Sequence, residues 1–320
     1  MTKPLLTIGI PTYKRPECLG PLLAEIMPAC EARGIEVLVS SNSQDAATKQ
    51  ILAKFAEYRY FQGVINQENL GFDGNILALL KKAQGSFLWL LSDDDVLDIS
   101  RLDALLNLIT AQPEVGLFYL NYKYLDGQGY PAIRGQELKY SLNSQQKYLD
   151  TILHKGTLIS TNIVNLNYYR AITINPDCLG EGWIHLHIFL NLANYLASQG
   201  VKNITVTDIL VQQQTGKAHH TMPEFADLFI TKFLLTLERS THDNLDLEKF
   251  KENFFKLNIK ARLFCLGEGL DYASFCRVFR LVLRHFPLSP LDKVHFFLAN
   301  IGLRGLVHLM SLFGRRQQAG

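Results

Sequence analysis

The sequence predicts an α/β fold, with a mostly parallel sheet flanked by helices and a helical region at the C-terminus. Three observations predict it. Apolar, β-rich segments alternate with segments of helical spacing over residues 1–120, the connections between them are short, and only helical spacing remains after Gly216. Strand–helix alternation with short connections is typical of parallel sheets that are covered on both faces.

The elements of this part follow one another in a regular order. Strands are predicted at 5–10, 35–40, 59–65, 87–91 and 115–120, and helices at 17–33, 46–57, 73–83 and 100–110. The next stretch is less regular, with a predicted hairpin around Asp126 and Gly127, helices at 144–154 and 183–197, and β-rich segments at 157–166 and 204–212. In such a sheet, ligands bind outside the carboxyl ends of the strands.

Composition and charge exclude several classes of protein. The 320 residues are 48% apolar, enough to bury a large core, and a net charge of +2 argues against a nucleic-acid partner. The five cysteines are scattered without a C-x-x-C pair, which predicts reduced thiols in a cytosolic protein and no zinc site. No apolar run reaches the ~18 residues of a spanning helix, and the first strand begins too early to leave room for a signal peptide.

Three adjacent carboxylates, Asp93, Asp94 and Asp95, close the apolar strand predicted at 87–91. They repel one another, and Mg²⁺ or Mn²⁺, shared with substrate phosphates, would offset that repulsion. On an extended chain Asp93 and Asp95 would point one way and Asp94 the other, and a turn would let the middle carboxylate reach a metal. The alternative is an acidic turn that caps the helix beginning at Ser100.

Other polar loops follow neighbouring strands. The loop after the first strand reads Pro-Thr-Tyr-Lys-Arg-Pro, in which Tyr13 could stack on a base while Thr12 and Arg15 contact ribose or phosphate oxygens. The loop at 66–75 contains two glycines that permit close backbone approach, and the helix after it offers its N-terminus to an anion. The alternative for this loop is a helix that is simply capped by Asp73.

The order of these loops resembles the nucleotide-sugar-binding half of a family 2 glycosyltransferase with the Rossmann-like GT-A fold. The resemblance rests on Ile-Pro-Thr-Tyr-Lys-Arg in the first loop, Asn-Ser-Gln-Asp in the second, Asn-Leu-Gly before a helix and the acidic run after the fourth strand. It covers residues 5–97 closely. It implies a GT-A domain at 1–215, with a nucleotide-sugar half at 1–120 and an acceptor half at 121–215, followed by a helical, basic and amphipathic region at 216–320.

The resemblance implies transfer of a sugar, with inversion, from a nucleoside-diphosphate sugar to a hydroxyl of a glycan, with Mn²⁺ or Mg²⁺ as cofactor. It assigns Asp93 to the ribose, Asp94 to the metal, and Asp95 to a supporting position beside the metal or the donor sugar. Ser41 departs from the family pattern, because an acid that contacts the base usually stands there. The other residues predicted to bind the nucleotide sugar are Pro11, Thr12, Tyr13, Arg15, Asn42, Asn69, Gly71, Asn75 and Lys217. For Lys217 the alternative is a solvated linker.

The general base is predicted in the acceptor half, within 177–187. Glu181 and His185 are four residues apart, so on one helical turn they would face the same side. His185 could act as the base with Glu181 orienting it, Glu181 could act alone, and Asp177 is the third candidate. The Gly-x-x-Trp-x-His pattern resembles the abequosyltransferase-type subgroup, which transfers deoxy sugars in O-antigen assembly. His187 is interpreted as a buried structural histidine.

The C-terminal region concentrates positive charge. From residue 271 to 320, seven Lys and Arg stand against two Asp, a local charge of +5. Segments 272–286 and 294–313 place apolar residues on one face and arginines on another. This pattern fits either contact of 271–316 with an anionic membrane surface or a helix that packs on the catalytic domain with its basic residues solvated. Membrane contact would match a lipid-linked acceptor and a peripheral location on the inner face of the cytoplasmic membrane.

Two other functions remain as alternatives. The first is a non-catalytic protein that binds sugar nucleotides or glycans, which would need neither three carboxylates at 93–95 nor a candidate base. The second is a nucleotidyltransferase, which has a similar sheet. It would need a Gly-rich, basic phosphate loop after the first strand, and residues 11–16 do not form one.

Overall fold

The structure is a computed structural model that describes residues 3–124, 137–152, 157–213, 221–240, 242–259, 270–286, 290 and 293. The predicted hairpin at Asp126, the loop of Lys217 and the segment predicted at 294–313 lie outside the described residues. The chain divides into two compact units. The first comprises residues 1–216 and 239–246, and the second comprises residues 217–238 and 247–320.

The first unit is an α/β domain. Its strands are β1 (Leu6–Thr12), β2 (Glu36–Ser41), β3 (Phe61–Ile65), β4 (Phe87–Leu90), β5 (Val96–Leu97), β6 (Leu117–Tyr124), β7 (Tyr140–Asn143), β8 (Asn162–Asn165) and β9 (Asn203–Gln213). Its helices are α1 (Pro16–Arg33), α2 (Ala46–Phe55), α3 (Gly71–Lys82), α4 (Leu102–Ala111), α5 (Gln145–Ile152), α6 (Leu166–Tyr169) and α7 (Ile184–Ser198). Short 3₁₀ turns lie at Ile99–Arg101, Ile159–Thr161 and Pro176–Cys178.

These strands form one mixed sheet in the order β3–β2–β1–β4–β8–β6–β9–β5, with β7 also paired to β9. The first four strands are parallel, as predicted, and β6 is parallel to β9. The remaining pairs, which involve β8, β5 and β7, are antiparallel. The sheet is therefore mixed, whereas the sequence predicted a mostly parallel one. The turn at Ile159–Thr161 lies beside the carboxyl end of β4, so β8 starts at that edge and runs back.

Side chains on the strands alternate between two hydrophobic clusters, one on each face of the sheet. Val37 and Val39 belong to the cluster that includes α1, α2 and α4, whereas Leu38 and Leu88 belong to the cluster that includes α3 and α7. This is the two-residue period of an extended chain. Burial on both faces explains why these strands read as nearly continuous apolar runs.

The second unit is helical in its described residues. Its elements are α8 (Met222–Ala226), a π-helical turn (Asp227–Lys232), α9 (Phe233–Arg239), α10 (Glu248–Phe254), a second π-helical turn (Phe255–Ile259) and α11 (Tyr272–His285). The apolar residues Phe275, Val278, Val282 and Phe286 are buried, and the ring of Phe286 stacks on that of Phe255. The apolar side of α11 is therefore buried. None of the described helices combines the length and hydropathy that a membrane crossing requires.

Candidate active site

The carboxyl ends of β1, β2 and β4 and the start of α3 border a cleft of about 370 Å³. Its walls are formed by Pro11, Thr12, Tyr13, Arg15, Asn42, Asn69, Gly71, Phe72, Asn75, Ser92, Asp93 and Ile159. Of the residues predicted to bind the nucleotide sugar, only Ser41 and Lys217 are not among them, and Lys217 lies outside the described residues. Phe72, Ser92 and Ile159 are additions to the predicted set.

Arg15 joins two of the three adjacent carboxylates. Its Nη1 donates to Asp93 Oδ1 at 2.7 Å, and its Nη2 donates to Asp94 Oδ2. Thr12 Oγ1 donates to the other Asp93 oxygen at 2.7 Å, and Ser92 Oγ donates to Asp94 Oδ1 at 2.6 Å. Asp93 and Asp94 therefore converge on one cation. The alternation expected for an extended strand is absent because the chain turns at these two residues.

Asp95 faces elsewhere. Its carboxylate is buried and accepts a hydrogen bond of 2.5 Å from Ser160 Oγ, at the turn before β8. This differs from the prediction that Asp95 supports Asp94 at the metal, because the turn directs Asp95 towards β8. The capping alternative for the acidic run is wrong as well. Asp98 makes that cap, since its carboxylate accepts from the backbone N–H of Ser100.

Burial distinguishes the two carboxylates that share Arg15. The Asp93 side chain is 3% exposed. Loss of hydration raises the pKa of Asp93 to about 6, while the Thr12 hydrogen bond and the positive charge of Arg15 oppose that rise. The side chains of Asp94 and Arg15 are 22% and 41% exposed. Arg15 is thus a counter-ion that solvent and ligands can reach.

The acidic turn fits a divalent cation that arrives with its substrate. Asp93 and Asp94 each present one oxygen to the Arg15 guanidinium, so a positive charge is already accommodated between them. No three His, Cys, Asp or Glu side chains of the described residues are grouped so as to hold a metal ion. Mg²⁺ is usually held by one or two carboxylates together with substrate phosphates. Asp94 is the more accessible carboxylate of the pair.

Amide side chains stiffen the opposite wall of the cleft. Asn42 Nδ2 donates to the carbonyl oxygen of Gly71 at 2.8 Å, and Asn42 Oδ1 accepts from Asn66 Nδ2 at 2.9 Å. Asn75 Nδ2 donates to the carbonyl oxygen of Thr12 at 3.4 Å. Gly71 has a φ of +68°, a conformation that favours glycine. These bonds hold the loop after β3 against the loops after β1 and β2.

Ser41 and Tyr13 stand differently towards the cleft. Ser41 is fully buried, and its hydroxyl donates to the carbonyl oxygen of Ser43 at 3.0 Å. The Ser41 hydroxyl was expected to take the place of the acid that contacts the nucleotide base in the family pattern. In the structure this hydroxyl is bonded within its own loop instead. Tyr13 is 42% exposed. It precedes Lys14, a non-glycine residue with a φ of +53°, and such strained positions often occur at functional sites.

The predicted base residues lie at and before the start of α7. The helix begins at Ile184, so Glu181 precedes it and the prediction that Glu181 and His185 share a helical turn is wrong. The cause is local, because Gly180 and Gly182 have φ values of +88° and +79° and keep this segment out of the helix.

Glu181 and Asp177 are held by the same arginine in different ways. Glu181 is buried and forms an ion pair with Arg239. Arg239 Nη1 also donates to the backbone carbonyl oxygen of Asp177 at 2.5 Å, while the Asp177 residue itself is exposed. Arg239 thus ties the loop before α7 together.

His185 lies one layer behind the wall of the cleft. Its ring meets Phe72 edge-on with centroids 5.6 Å apart and stacks on Trp183 at 5.7 Å. Nε2 donates to the carbonyl oxygen of Thr157 at 2.9 Å, and Nδ1 is buried with no hydrogen-bond partner among the described residues. Burial lowers the pKa of His185, although the Thr157 hydrogen bond and the charge of Asp73 oppose this. The imidazole is therefore neutral with an unused acceptor nitrogen.

His187 has the environment of a structural histidine. It is fully buried, and Nε2 accepts from the backbone N–H of Asn175 at 3.1 Å, which leaves the proton on Nδ1. Nδ1 lies 2.9 Å from Ser240 Oγ and 3.3 Å from Cys178 Sγ. These contacts anchor the loop before α7 from its other end.

Asp73 does not cap its own helix, contrary to the alternative reading of its loop. It lies in the first turn of α3, and its buried carboxylate accepts backbone N–H bonds from Gly180 at 2.8 Å, Gly182 at 2.8 Å and Ile184 at 3.2 Å. These donors lie 107 or more residues after Asp73 in the chain. No local spacing in the sequence indicates this contact.

Residues 7–163 match the family model described as Glycosyl transferase family 2. This segment is a glycosyltransferase family 2 domain. Over 207 residues it is 26% identical to the abequosyltransferase RfbV of Salmonella typhimurium, which covers 59% of this chain and 61% of the relative. The chain thus spans about three fifths of the length of that relative. The resemblance predicted from the four loops is confirmed.

Solved structures share the fold of this chain. It is similar to residues 1–349 of TarS from S. aureus in complex with UDP-GlcNAc, with a TM-score of 0.60, 14% identity and coverage of 92% of this chain and 81% of that one. It is also similar to the mannosyltransferase PcManGT from Pyrobaculum calidifontis in complex with GDP-Man and Mn²⁺, with a TM-score of 0.52, 13% identity and coverage of 94% and 87%. These likenesses confirm the predicted GT-A fold.

Proposed function

We propose that this family 2 member is a metal-dependent, inverting glycosyltransferase that moves a sugar from a nucleoside-diphosphate sugar to a hydroxyl of a glycan. The observation that carries the proposal is the convergence of Asp93 and Asp94 on one reachable cation, Arg15, at the edge of a cleft of ligand size. The neighbours that were solved with UDP-GlcNAc and GDP-Man support a nucleotide-sugar donor.

The cleft offers a partner for each part of such a donor. Tyr13 is exposed enough to stack on the base. Asp93, oriented by Thr12, accepts from the ribose hydroxyls. Arg15 binds the diphosphate oxygens, because a guanidinium binds phosphate in two parallel hydrogen bonds, and in doing so it releases the carboxylates. Asn69 and Asn75 complete the opposite wall.

Asp94, with Asp93 beside it, would hold Mn²⁺ or Mg²⁺ together with the donor diphosphate. When bound, the ion would neutralise the charge that develops on the leaving nucleoside diphosphate. Asp94 is the better placed ligand because its side chain is partly exposed, whereas Asp95 fixes the turn through Ser160. The Mn²⁺ in the PcManGT structure supports a divalent ion here.

His185 is our first candidate for the general base. The acceptor oxygen forms a bond to the anomeric carbon, its proton passes to the base, and the bond to the nucleoside diphosphate breaks on the opposite face. His185 is neutral and has Nδ1 available, whereas Glu181 is paired with Arg239 and Asp177 is solvent-exposed. Phe72 has to move aside for the imidazole to meet the acceptor.

The proposal includes a lipid-linked acceptor of surface-polysaccharide type, which the resemblance to abequosyltransferases supports. Arg277, Arg280 and Arg284 are exposed on α11 and form a basic stripe. Each arginine near an anionic membrane surface contributes about 1 kcal/mol to binding. Exchange of all three for glutamine should release the protein from phosphatidylglycerol vesicles. Glutamine at the exposed Lys49, Lys54 and Lys82 removes the same charge and should not.

A thermal-shift screen tests the central claim. UDP-, GDP-, CDP- and dTDP-sugars are compared with and without Mn²⁺, and one of them should raise the melting temperature further when Mn²⁺ is present. Asp94→Asn should lose that increment. Asp103→Asn, which breaks an exposed ion pair with Arg33, should keep it. No shift with any nucleotide would refute the proposal. Binding without release of nucleoside diphosphate would favour the non-catalytic alternative.

A further inference from the structure

We propose that Asp73 is a positioning residue that fixes the segment carrying Glu181 and His185 against the cleft. The inference rests on the proposed function and deepens it. It starts from the surroundings of the Asp73 carboxylate, which is 3% exposed and accepts three backbone hydrogen bonds from the segment before α7. An ordinary surface aspartate would leave these oxygens in water.

The carboxylate is stabilised by backbone amides alone. No Lys, Arg or His of the described residues forms an ion pair with Asp73, so the negative charge depends on the N–H groups of Gly180, Gly182 and Ile184. Ile184 is the first residue of α7, and a negative charge at a helix N-terminus is favourable. Asp73 therefore caps α7 from a distant part of the chain.

The segment is shaped for this contact. Alternate residues point their N–H groups at one carboxylate because Gly180 and Gly182 both adopt positive φ. Backbone N–H groups that converge in this way form a concave anion site. A side chain at Gly180 would meet nothing within 4 Å, so the glycine is required there by its backbone conformation and not by space.

Asp73 also connects this segment to the cleft. Its neighbour Phe72 lines the cleft and contacts the ring of His185, and His185 follows the amide of Ile184 that Asp73 holds. The two sides of the Phe72–His185 contact are thus fixed by one carboxylate. Misplacement of a catalytic group by about 1 Å can cost roughly a hundredfold in rate, so a loosened segment should slow turnover.

Asp73→Asn keeps the size of the side chain but leaves one acceptor oxygen and turns an NH₂ group towards N–H donors. Glu36→Gln is the matched control. Glu36 is buried in the same unit and accepts from Thr7 Oγ1 at 2.5 Å and from the backbone N–H of Gln84 at 2.8 Å. It begins β2, whereas the cleft lies at the other end of that strand.

Two measurements decide the proposal. Hydrogen exchange of a peptide spanning 180–184 should be roughly tenfold faster in Asp73→Asn and unchanged in Glu36→Gln. The second measurement is release of nucleoside diphosphate from the sugar nucleotide that stabilises the wild type most in the thermal-shift screen. Its kcat should fall roughly 10- to 100-fold in Asp73→Asn, while KM for the donor stays within about threefold. Glu36→Gln should keep both kinetic constants even where it lowers the melting temperature.

Unchanged exchange at 180–184, or an equal loss of kcat in Glu36→Gln, overturns the proposal. Gly180→Ala covers the case in which Asp73→Asn does not fold. It strains the same segment while Asp73 stays in place, and it should lower kcat with donor KM retained; unaltered kcat counts against the proposal. If the wild type binds no sugar nucleotide, the proposed function fails, and the exchange comparison still decides whether Asp73 holds the segment.

Discussion

The acidic turn at 93–94 and the loop before α7 both pair carboxylates with an arginine, but the two arginines differ in what else they contact. Each places carboxylate oxygens beside an arginine: Asp93 and Asp94 beside Arg15, and Glu181 beside Arg239. Arg15 lies in the wall of the cleft, and one of its two carboxylate partners is partly exposed. Glu181 is only 8% exposed in its side chain.

The side chain of Arg239 also contacts the backbone, which the side chain of Arg15 does not among the described residues. Arg239 also donates to the backbone carbonyl oxygen of Asp177, so it holds the course of the loop as well as a charge. In the described contacts the guanidinium of Arg15 donates to side chains alone. Arg15 is thus accessible to a ligand in the cleft, whereas the partner of Arg239 is buried and Arg239 also holds the backbone.

The largest effect that separates the two regions is expected for metal-stimulated turnover. Asp94→Asn should lower release of nucleoside diphosphate in the presence of Mn²⁺ by roughly a hundredfold or more, because the ion loses its accessible ligand. The melting temperature should stay close to that of the wild type, since the side chain is partly exposed. Glu181→Gln should keep the response to Mn²⁺. A Mn²⁺ response that survives in Asp94→Asn would contradict the assignment.

Removal of the two arginines should have unequal effects on stability. Arg239→Met strands the buried Glu181 carboxylate and should cost about 2–3 kcal/mol of unfolding free energy, below the usual range for a buried pair because Arg239 is itself 35% exposed. Arg15→Ala should cost about 1 kcal/mol, because Asp94 reaches water and Asp93 can take up a proton.

Urea denaturation of both variants measures this difference. The double variant Arg239→Met with Glu181→Gln should recover part of the loss, because no buried charge is then left without its partner. Equal losses for the two arginine variants would remove the distinction between an exchangeable and a structural pair.

Ser160 should show an intermediate effect. Its hydroxyl donates to Asp95 and accepts from the backbone N–H of Ser92 at 2.9 Å. Ser160→Ala therefore removes one buried and one partly buried hydrogen bond and should cost about 1–3 kcal/mol. Thermal unfolding measures the loss, and Ser100→Ala, which removes a hydroxyl bonded to Asp98 in a partly exposed turn, is the control. A loss no larger than that of the control would show that Asp95 does not depend on Ser160.

The two regions also differ in how far the sequence predicts them. The cleft residues follow directly after strands, so the strand order and the loop motifs suffice to bring Thr12, Asn42 and Asp93 together. The loop before α7 depends on partners distant in the chain, Asp73 and Arg239, which no periodicity relates to it. The helix predicted at 183–197 begins one residue later, at Ile184, but Glu181 was wrongly placed on its turn, because the positive φ of Gly180 and Gly182 cannot be recognised from composition alone.

The smallest predicted effect is a pH dependence of opposite sign in the two regions. Asp93 has its pKa raised from 3.8 to about 6, so its contribution to stability is present below 3.8 and is lost as the pH rises to about 6. His185 has its pKa lowered from 6.5 by burial. The unfolded chain therefore binds more protons than the folded one below 6.5, and the contribution of His185 is present above 6.5 and declines as the pH falls.

Unfolding free energies measured without metal from pH 3.8 to above pH 6.5 separate the contributions of Asp93 and His185. The wild type should lose stability as the pH rises from 3.8 to about 6, and Asp93→Asn should abolish that loss. The wild type should also lose stability as the pH falls below 6.5, and His185→Gln should abolish that loss. Differences of the same sign for both variants would mean that one of the two groups is not buried as described. Opposite signs would show that desolvation acts on a carboxylate in the wall of the cleft and on an imidazole behind it.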